Sequence, residues 1–228
     1  MSIINLIYNS PNWGGGWWRQ PWANTLAYYQ FDNNLNDSSW NNRNFTVKTW
    51  TVTYSTTSWG AKYAYFNNST WTNYYEMSLN YTAPMTVSFF FNPQADYGTW
   101  TSTVHTIFEI WYNQGYCRWF NTLGISWDGI SSVPFYAMQT NQWYLVTYTR
   151  NGSSWKMYIN GTLNGSWTPN HTTGTRTVRV CINQVWNTNN SNFANNGYIS
   201  ELIMEDKERT AQEISDYFNQ TKSLYWIS

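Results

Sequence analysis

Glu109 is the only carboxylate between residues 105 and 113, and Trp111 stands two positions beyond it. A carboxylate can hydrogen-bond hydroxyls while a flat aromatic ring stacks on the apolar face of a pyranose, so such a pair suits a sugar. Phe108, Ile110 and Tyr112 alternate with Ile107, Glu109 and Trp111. A strand with the first set in the core therefore projects Glu109 and Trp111 from its sheet. Trp119, in the loop expected over 113–121, and Tyr158, opposite in phase to Met157 and Ile159, extend the same platform. Trp186 with Asn183, Gln184 and Asn187 makes a second aromatic and polar cluster.

Catalytic constellations are missing. Retaining glycoside hydrolysis needs two carboxylates about 5–5.5 Å apart. Apart from Glu109, the carboxylates before residue 201 are Asp32, Asp37, Glu76, Asp96 and Asp128, and no two of them stand at i, i+2 on one expected strand. Glu205, Asp206 and Glu208 fall in an expected solvated loop, and His105 and His171 are isolated. Residues 124–128, Gly-Ile-Ser-Trp-Asp, lack the second glycine and the strand-to-helix context of a nucleophile elbow. No phosphate loop or dinucleotide fingerprint occurs. Two Cys and two His are too few for a closed zinc site. Cys117 and Cys181 fit either one disulfide or two buried thiols. The chain is expected to bind rather than to catalyse.

Composition points the same way. Charged residues make up 11% of the 228 positions, against roughly 25% in an average domain. The formal net charge is zero, which argues against electrostatic binding of nucleic acid or of a membrane surface. No stretch approaches the roughly 20 apolar residues of a membrane span. Aromatic residues reach 21%, more than one core is expected to hide. Eleven Asn-x-Ser/Thr sequons permit a glycosylated exterior, and a chain this rich in Asn, Ser and Thr also makes many by composition alone.

These residues need elements to hold them. The period-2 and β-branched signals give strands over 26–31, 45–54, 61–66, 85–93, 104–112, 123–127, 143–149, 155–160, 177–185 and 198–204. Asn151-Gly152 and Asn160-Gly161 mark two tight hairpin turns around the strand 155–160. Thr210 and Glu213 form a capping box, and Ile214, Tyr217 and Phe218 supply the apolar stripe of a short helix. Three segments are expected: a Trp/Gly-rich arm over 1–24 carrying Trp13, Trp17, Trp18 and Trp22, one domain over 25–222, and a tail over 223–228. The fold expected is all-β, a two-sheet antiparallel β-sandwich with one short C-terminal helix.

Several of these segments resemble one family in the same order. Phe31-Asp32, Asn33-Asn34, Leu35 and Asp37-Ser38-Ser39 are similar to the opening of laminin-G/pentraxin-like domains of the concanavalin A-like lectin/glucanase superfamily. Thr86-Val87-Ser88-Phe89-Phe90 with Pro93, the hairpin ending Tyr158-Ile159-Asn160-Gly161, and the final strand before Thr210-Ala211-Gln212-Glu213-Ile214 continue the likeness. It implies a jelly roll over roughly residues 26–220. It also implies a structural calcium held near the first strand and by an Asp in the last, where members usually read Gly-x-Ile-Asp-Glu. Here Gly197-Tyr198-Ile199-Ser200-Glu201 replaces that Asp by Ser200, leaving Asp32 and Asp37 as ligands or as turn caps.

Two functions follow as expectations. The first is a non-catalytic carbohydrate-binding or adhesion module, outside a cell or on a virion surface, taking glycans or host-surface polysaccharide through Glu109, Trp111, Trp119, Tyr158 and Trp186. The second is a capsid, spike or fibre subunit that meets other subunits through residues 1–24 and forms a homo-oligomer. The likeness in composition to virion proteins and the Trp/Gly arm motivate it.

Overall fold

The computed structural model describes residues 23–47, 52–67, 75–81, 84–94, 104–110, 116–120, 124–127, 135–168, 174–180 and 196–227. In chain order the strands are β1 (Thr25–Tyr29), β2 (Thr46–Val47), β3 (Thr53–Thr56), β4 (Lys62–Asn67), β5 (Tyr75–Tyr81), β6 (Met85–Pro93), β7 (Val104–Ile110) and β8 (Tyr116–Phe120). They continue as β9 (Gly124–Trp127), β10 (Phe135–Ala137), β11 (Tyr144–Asn151), β12 (Ser154–Ile159), β13 (Thr162–Trp167), β14 (Gly174–Val180) and β15 (Asn196–Glu205). Helix α1 (Ala211–Thr221) and a 3-10 turn, Lys222–Tyr225, follow. Among the described residues, the first sheet runs β13-β12-β11-β6-β15-β4-β3, with β1 also on β15, and the second runs β10-β9-β8-β7-β14-β5-β2. Every pairing is antiparallel. The expected jelly-roll sandwich is what forms.

Strand β6 shows why the first sheet organises the molecule. Its β-branched and aromatic residues suit a pleated backbone, and all nine are buried. Val87, Phe89 and Phe91 point into a core shared with Met77, Leu79 and Met138 of the second half. Phe90, one step out of phase, points the other way into a second core of Tyr28, Leu145, Ile203, Tyr217, Phe218 and Tyr225. The outer face of the first sheet is thus partly roofed by α1 and the 3-10 turn. Each fully buried large apolar side chain contributes about 1.5–3 kcal/mol of burial free energy.

Helix α1 starts as its sequence specifies. Thr210 Oγ1 accepts the Glu213 amide and Glu213 reaches back to the Thr210 amide, while Ile214, Tyr217 and Phe218 are buried. The residues expected as a tail instead close the domain: Tyr225 stacks on Phe90 with ring centroids 3.8 Å apart and is fully enclosed.

The two Asn-Gly turns differ. Asn160 and Gly161 both have positive φ, 50° and 79°, as a type I′ turn requires. At the other hairpin Asn151 pairs with Ser154, so Gly152 (φ 57°) is the first loop residue and Asn151 ends the strand. Gly161 is doubly constrained, because a Cβ there would lie 3.1 Å from Phe218 Cβ and 3.2 Å from Ser215 Cα. Gly161→Ala is expected to lower stability by about 1–3 kcal/mol through overpacking and φ strain. A urea melt checks this, and a loss under about 0.5 kcal/mol would show that α1 can move away.

Some expectations are revised. Strands β5, β8, β10 and β13 lie outside the expected set, and the loop expected over 113–121 contains β8. β13 carries Asn164-Gly165 and is largely exposed at an edge, where packing rather than propensity makes the strand. The span 45–54 holds β2 and the start of β3, which join different sheets. Among the described residues no helix is long and apolar enough to cross a membrane.

Candidate functional site

Of the expected sugar contacts, Glu109 stands on β7 and Trp119 on β8 of the second sheet. Glu109 is in register with Arg179 on β14, which is itself in register with Glu76 on β5, so a cation position separates two carboxylate positions across three strands. Pairs weighed within one strand miss this row. Cys117 on β8 is in register with Phe108, and Phe108 with Val180. Trp119 is in register with His105, and Glu109 with Tyr116.

Tyr158 lies in the first sheet, apart from β7 and β8 of the second, and is only 3% exposed. It does point away from Met157 and Ile159, but that outer face is covered beside α1 rather than solvated. Burial, first of all, pushes its hydroxyl pKa up. Trp111 and Trp186 lie outside the described residues.

A cleft of about 300 Å³ beside Tyr158 is lined by Lys156, Glu208, Arg209, Thr210 and Ala211. Its charges are matched internally. Lys156 Nζ donates to Glu208 Oε1 at 2.7 Å, and Arg209 grips Glu205 through both Nε and Nη2. The hydrogen bond from Lys156 holds the Glu208 carboxyl below its ordinary 4.5, while burial pushes Glu205 up against the pull of Arg209.

The calcium question turns on Asp37. Its Oδ1 accepts the amides of Tyr28 (2.9 Å) and Ser39 (2.8 Å), and its Oδ2 accepts the Ser39 hydroxyl (2.7 Å) and the Arg43 amide (2.9 Å). Asp32 faces Lys62 Nζ at 3.7 Å. Ser200 Oγ donates to the Lys62 carbonyl and lies 2.7 Å from Tyr225 Oη. These residues do not fit a calcium ion: one carboxylate is saturated by N–H and O–H donors, the second faces an ammonium, and the third position has no carboxylate. Among the described residues no group of three His, Cys, Asp or Glu could hold a metal.

Sequons also find internal uses. Asn44 Oδ1 accepts the Asp37 amide, Asn160 Oδ1 accepts the Leu145 amide, and Asn151 Nδ2 donates to Glu208.

The aromatic surplus collects where the roof ends. On the outer face of the first sheet, Asn92, Tyr198 and Tyr65 lie side by side on β6, β15 and β4. Trp143, just ahead of β11, and Tyr63 complete a cluster of half-buried rings. Ring centroids are 4.9 Å apart for Tyr63–Tyr198, 5.1 Å for Tyr65–Tyr198, 5.5 Å for Tyr63–Trp143 and 6.2 Å for Trp143–Tyr198. Tyr63 meets both Trp143 and Tyr198 edge-on, at 65° and 61°, which fixes their orientation. Burial, then Tyr63, pushes the Tyr198 hydroxyl pKa up.

One amide pair stands beside this cluster: Asn92 is the register partner of Tyr198, and Gln94 Nε2 donates to Asn92 Oδ1 at 2.7 Å. The sequence signal was present in the alternation Tyr63-Ala64-Tyr65 and Tyr198-Ile199. What it lacked was the pairing of two strands far apart in the chain, β4 and β15.

Two packed antiparallel sheets with a core between them and a C-terminal helix on one outer face define a lectin-type jelly roll. A model of the concanavalin A-like lectin/glucanases superfamily, of laminin G type, matches residues 66–215, and the chain belongs to that superfamily. No curated protein matches its sequence. Among solved structures, it is similar to the binding domain of botulinum neurotoxin serotype D, at 18% identity and a TM-score of 0.66 over 86% of this chain and 52% of that one. The serotype D ligand-binding domain in complex with N-acetylneuraminic acid matches at 19% identity and 0.65, over 86% and 51%. A botulinum neurotoxin type C structure, described by cell entry that depends on two ganglioside molecules, matches at 18% and 0.66, over 86% and 51%. The chain thus spans about half the length of these structures, and at such identities the likeness is one of fold.

Proposed function

We propose that this domain is a non-catalytic carbohydrate-binding or adhesion module that works outside a cell. The observation that carries this reading is the half-exposed cluster of Tyr63, Tyr65, Trp143 and Tyr198 on the outer face of the first sheet, with Asn92 in register beside Tyr198. Rings locked by mutual edge contacts lose little conformational entropy when a sugar stacks on them, which favours binding. The solved structures of similar fold add support, since two are described by sialic acid or gangliosides. Binding without catalysis is supported by the carboxylates already matched to cations: Asp32 by Lys62, Glu205 by Arg209, Glu208 by Lys156 and Glu213 by Lys207.

Glu109, Trp111, Trp119 and Trp186 remain proposed contacts, to be substituted as a separate set from the outer-face cluster. A broad glycan array probed from pH about 3 to 7, which brackets carboxylate titration, tests the reading. Selective binding is the expected outcome, and a blank array overturns it. Hydrolysis of any glucan that disappears with Glu109→Gln would overturn the non-catalytic part.

A structural role on a particle or virion, with homo-oligomerisation through residues 1–24, is the second reading. Trp40, Trp59 and Trp226 are 81%, 65% and 69% exposed on the single chain. Solvent-facing tryptophans favour a partner surface. Deleting residues 1–24 should then abolish self-association in sedimentation.

A further inference from the structure

We infer that the surface formed by Tyr63, Tyr65, Trp143 and Tyr198, with the Asn92–Gln94 amide pair beside it, takes an uncharged glycan through the apolar face of a pyranose and its hydroxyls. This deepens the glycan-binding reading and rests on it.

Aromatic faces and amides together satisfy both sides of a neutral sugar: rings cover the C–H face, and amides donate to or accept from hydroxyls. An acidic sugar makes a different demand. A carboxylate or sulfate brought out of water needs a cation or several N–H donors, or it is penalised heavily. The ammonium nearest in sequence to the cluster, that of Lys62, lies 3.7 Å from the Asp32 carboxylate. Strand alternation sends it to the opposite face from Tyr63. Glu201, three residues beyond Tyr198, accepts a hydrogen bond from Tyr217 Oη at 2.9 Å and would repel an anion.

The sequence extends the argument. The stretches that follow or precede the strand ends at this edge, 68–74, 95–103 and 181–195, contain no Lys or Arg at all. They are rich in Asn, Ser, Thr, Tyr and Trp instead, and their one charged residue is Asp96. No cation comes from those three stretches in any arrangement. The charge class of the ligand is therefore set by composition as well as by geometry.

The test uses the full chain on an array that carries neutral oligosaccharides (glucans, mannans, galactans) beside sialylated and sulfated ones. Titration calorimetry then follows with Tyr198→Ala, Tyr65→Ala and Trp143→Ala, each first checked by its melting curve. Leu163→Ala, an exposed side chain on β13 at the opposite edge of the first sheet from β4, serves as the control. The expected result is binding of neutral glycans, weakened about tenfold or more by any cluster variant that remains folded and unchanged in the control. Using three separate positions keeps the test open if one variant fails to fold. Binding confined to sialylated or sulfated glycans would overturn the inference while leaving the glycan-binding reading intact. Neutral binding unaffected by every folded cluster variant would likewise overturn it, moving the site elsewhere on the domain. No binding of any glycan would overturn both.

Discussion

Asp37→Ala is expected to lower the stability of this domain by about 3–6 kcal/mol, because a hydrogen bond to a charged group contributes about 1.5–3 kcal/mol. Three backbone amides, those of Tyr28, Ser39 and Arg43, and the Ser39 hydroxyl all converge on its two oxygens. The site is buried, so water does not replace the lost acceptor without cost. The consequence spreads along the chain, since the Tyr28 amide belongs to β1 while Ser39 and Arg43 belong to the loop that crosses back over it. Tyr29, whose ring stacks on Phe45 at 4.1 Å, donates its hydroxyl to the Arg43 carbonyl and depends on that loop's position.

Asp37→Asn separates charge from shape. Its remaining carbonyl oxygen keeps the Tyr28 and Ser39 amides, while its NH2 group faces the Arg43 N–H, donor against donor. An intermediate loss is expected, read as midpoint shifts in urea at constant slope. If Asp37→Ala cost less than about 1 kcal/mol, the hub reading would fail. Calcium enters as a control on the same melts. With both Asp37 oxygens engaged, neither calcium nor a chelator should move the wild-type midpoint.

The second large effect is expected at Phe90. Replacing it by alanine should cost about 3–5 kcal/mol, the usual range for emptying a buried phenylalanine site. Phe90 is fully enclosed, stacks on Tyr225 at 3.8 Å and 15°, and lies 6.2 Å from the ring of Tyr217. It is therefore the contact through which the central strand β6 holds both α1 and the closing 3-10 turn. Beyond global stability, the variant should loosen residues 222–227 selectively. The readout is faster amide exchange of Ile227, whose N–H bonds the Lys222 carbonyl at 3.1 Å. Phe90→Leu keeps much of the volume and should cost less, under about 1.5 kcal/mol where the core can repack. A Phe90→Ala variant with unchanged exchange in that segment would show that the C-terminal residues are held by other contacts.

The hairpin of β11 and β12, the both-faces-buried strand β6 and the capped helix α1 were legible in the sequence, since each rests on local chemistry. Positive φ at Gly152, β-branched and aromatic runs, and the Thr210–Glu213 box act over a few residues, and their physics does not wait for distant partners. The shortage of charge and the surplus of aromatic rings were equally fixed by composition.

Which rings reach solvent was decided only by tertiary structure. Alternation correctly turned Tyr158 away from the core between the sheets, yet it could not reveal that the chain's last residues roof that outer face. The same roof ends against Trp143, whose ring lies 5.1 Å from that of Tyr225, and leaves Trp143, Tyr63, Tyr65 and Tyr198 half exposed. A strand has two faces and the sequence states its period. Whether the second face meets water, a helix or a sugar depends on segments distant in the chain, as the pairing of β4 with β15 and the bond from Thr57 to Leu224 show. Burial is a property of the assembled layers, and local sequence encodes only the half of it that lies within reach of one strand.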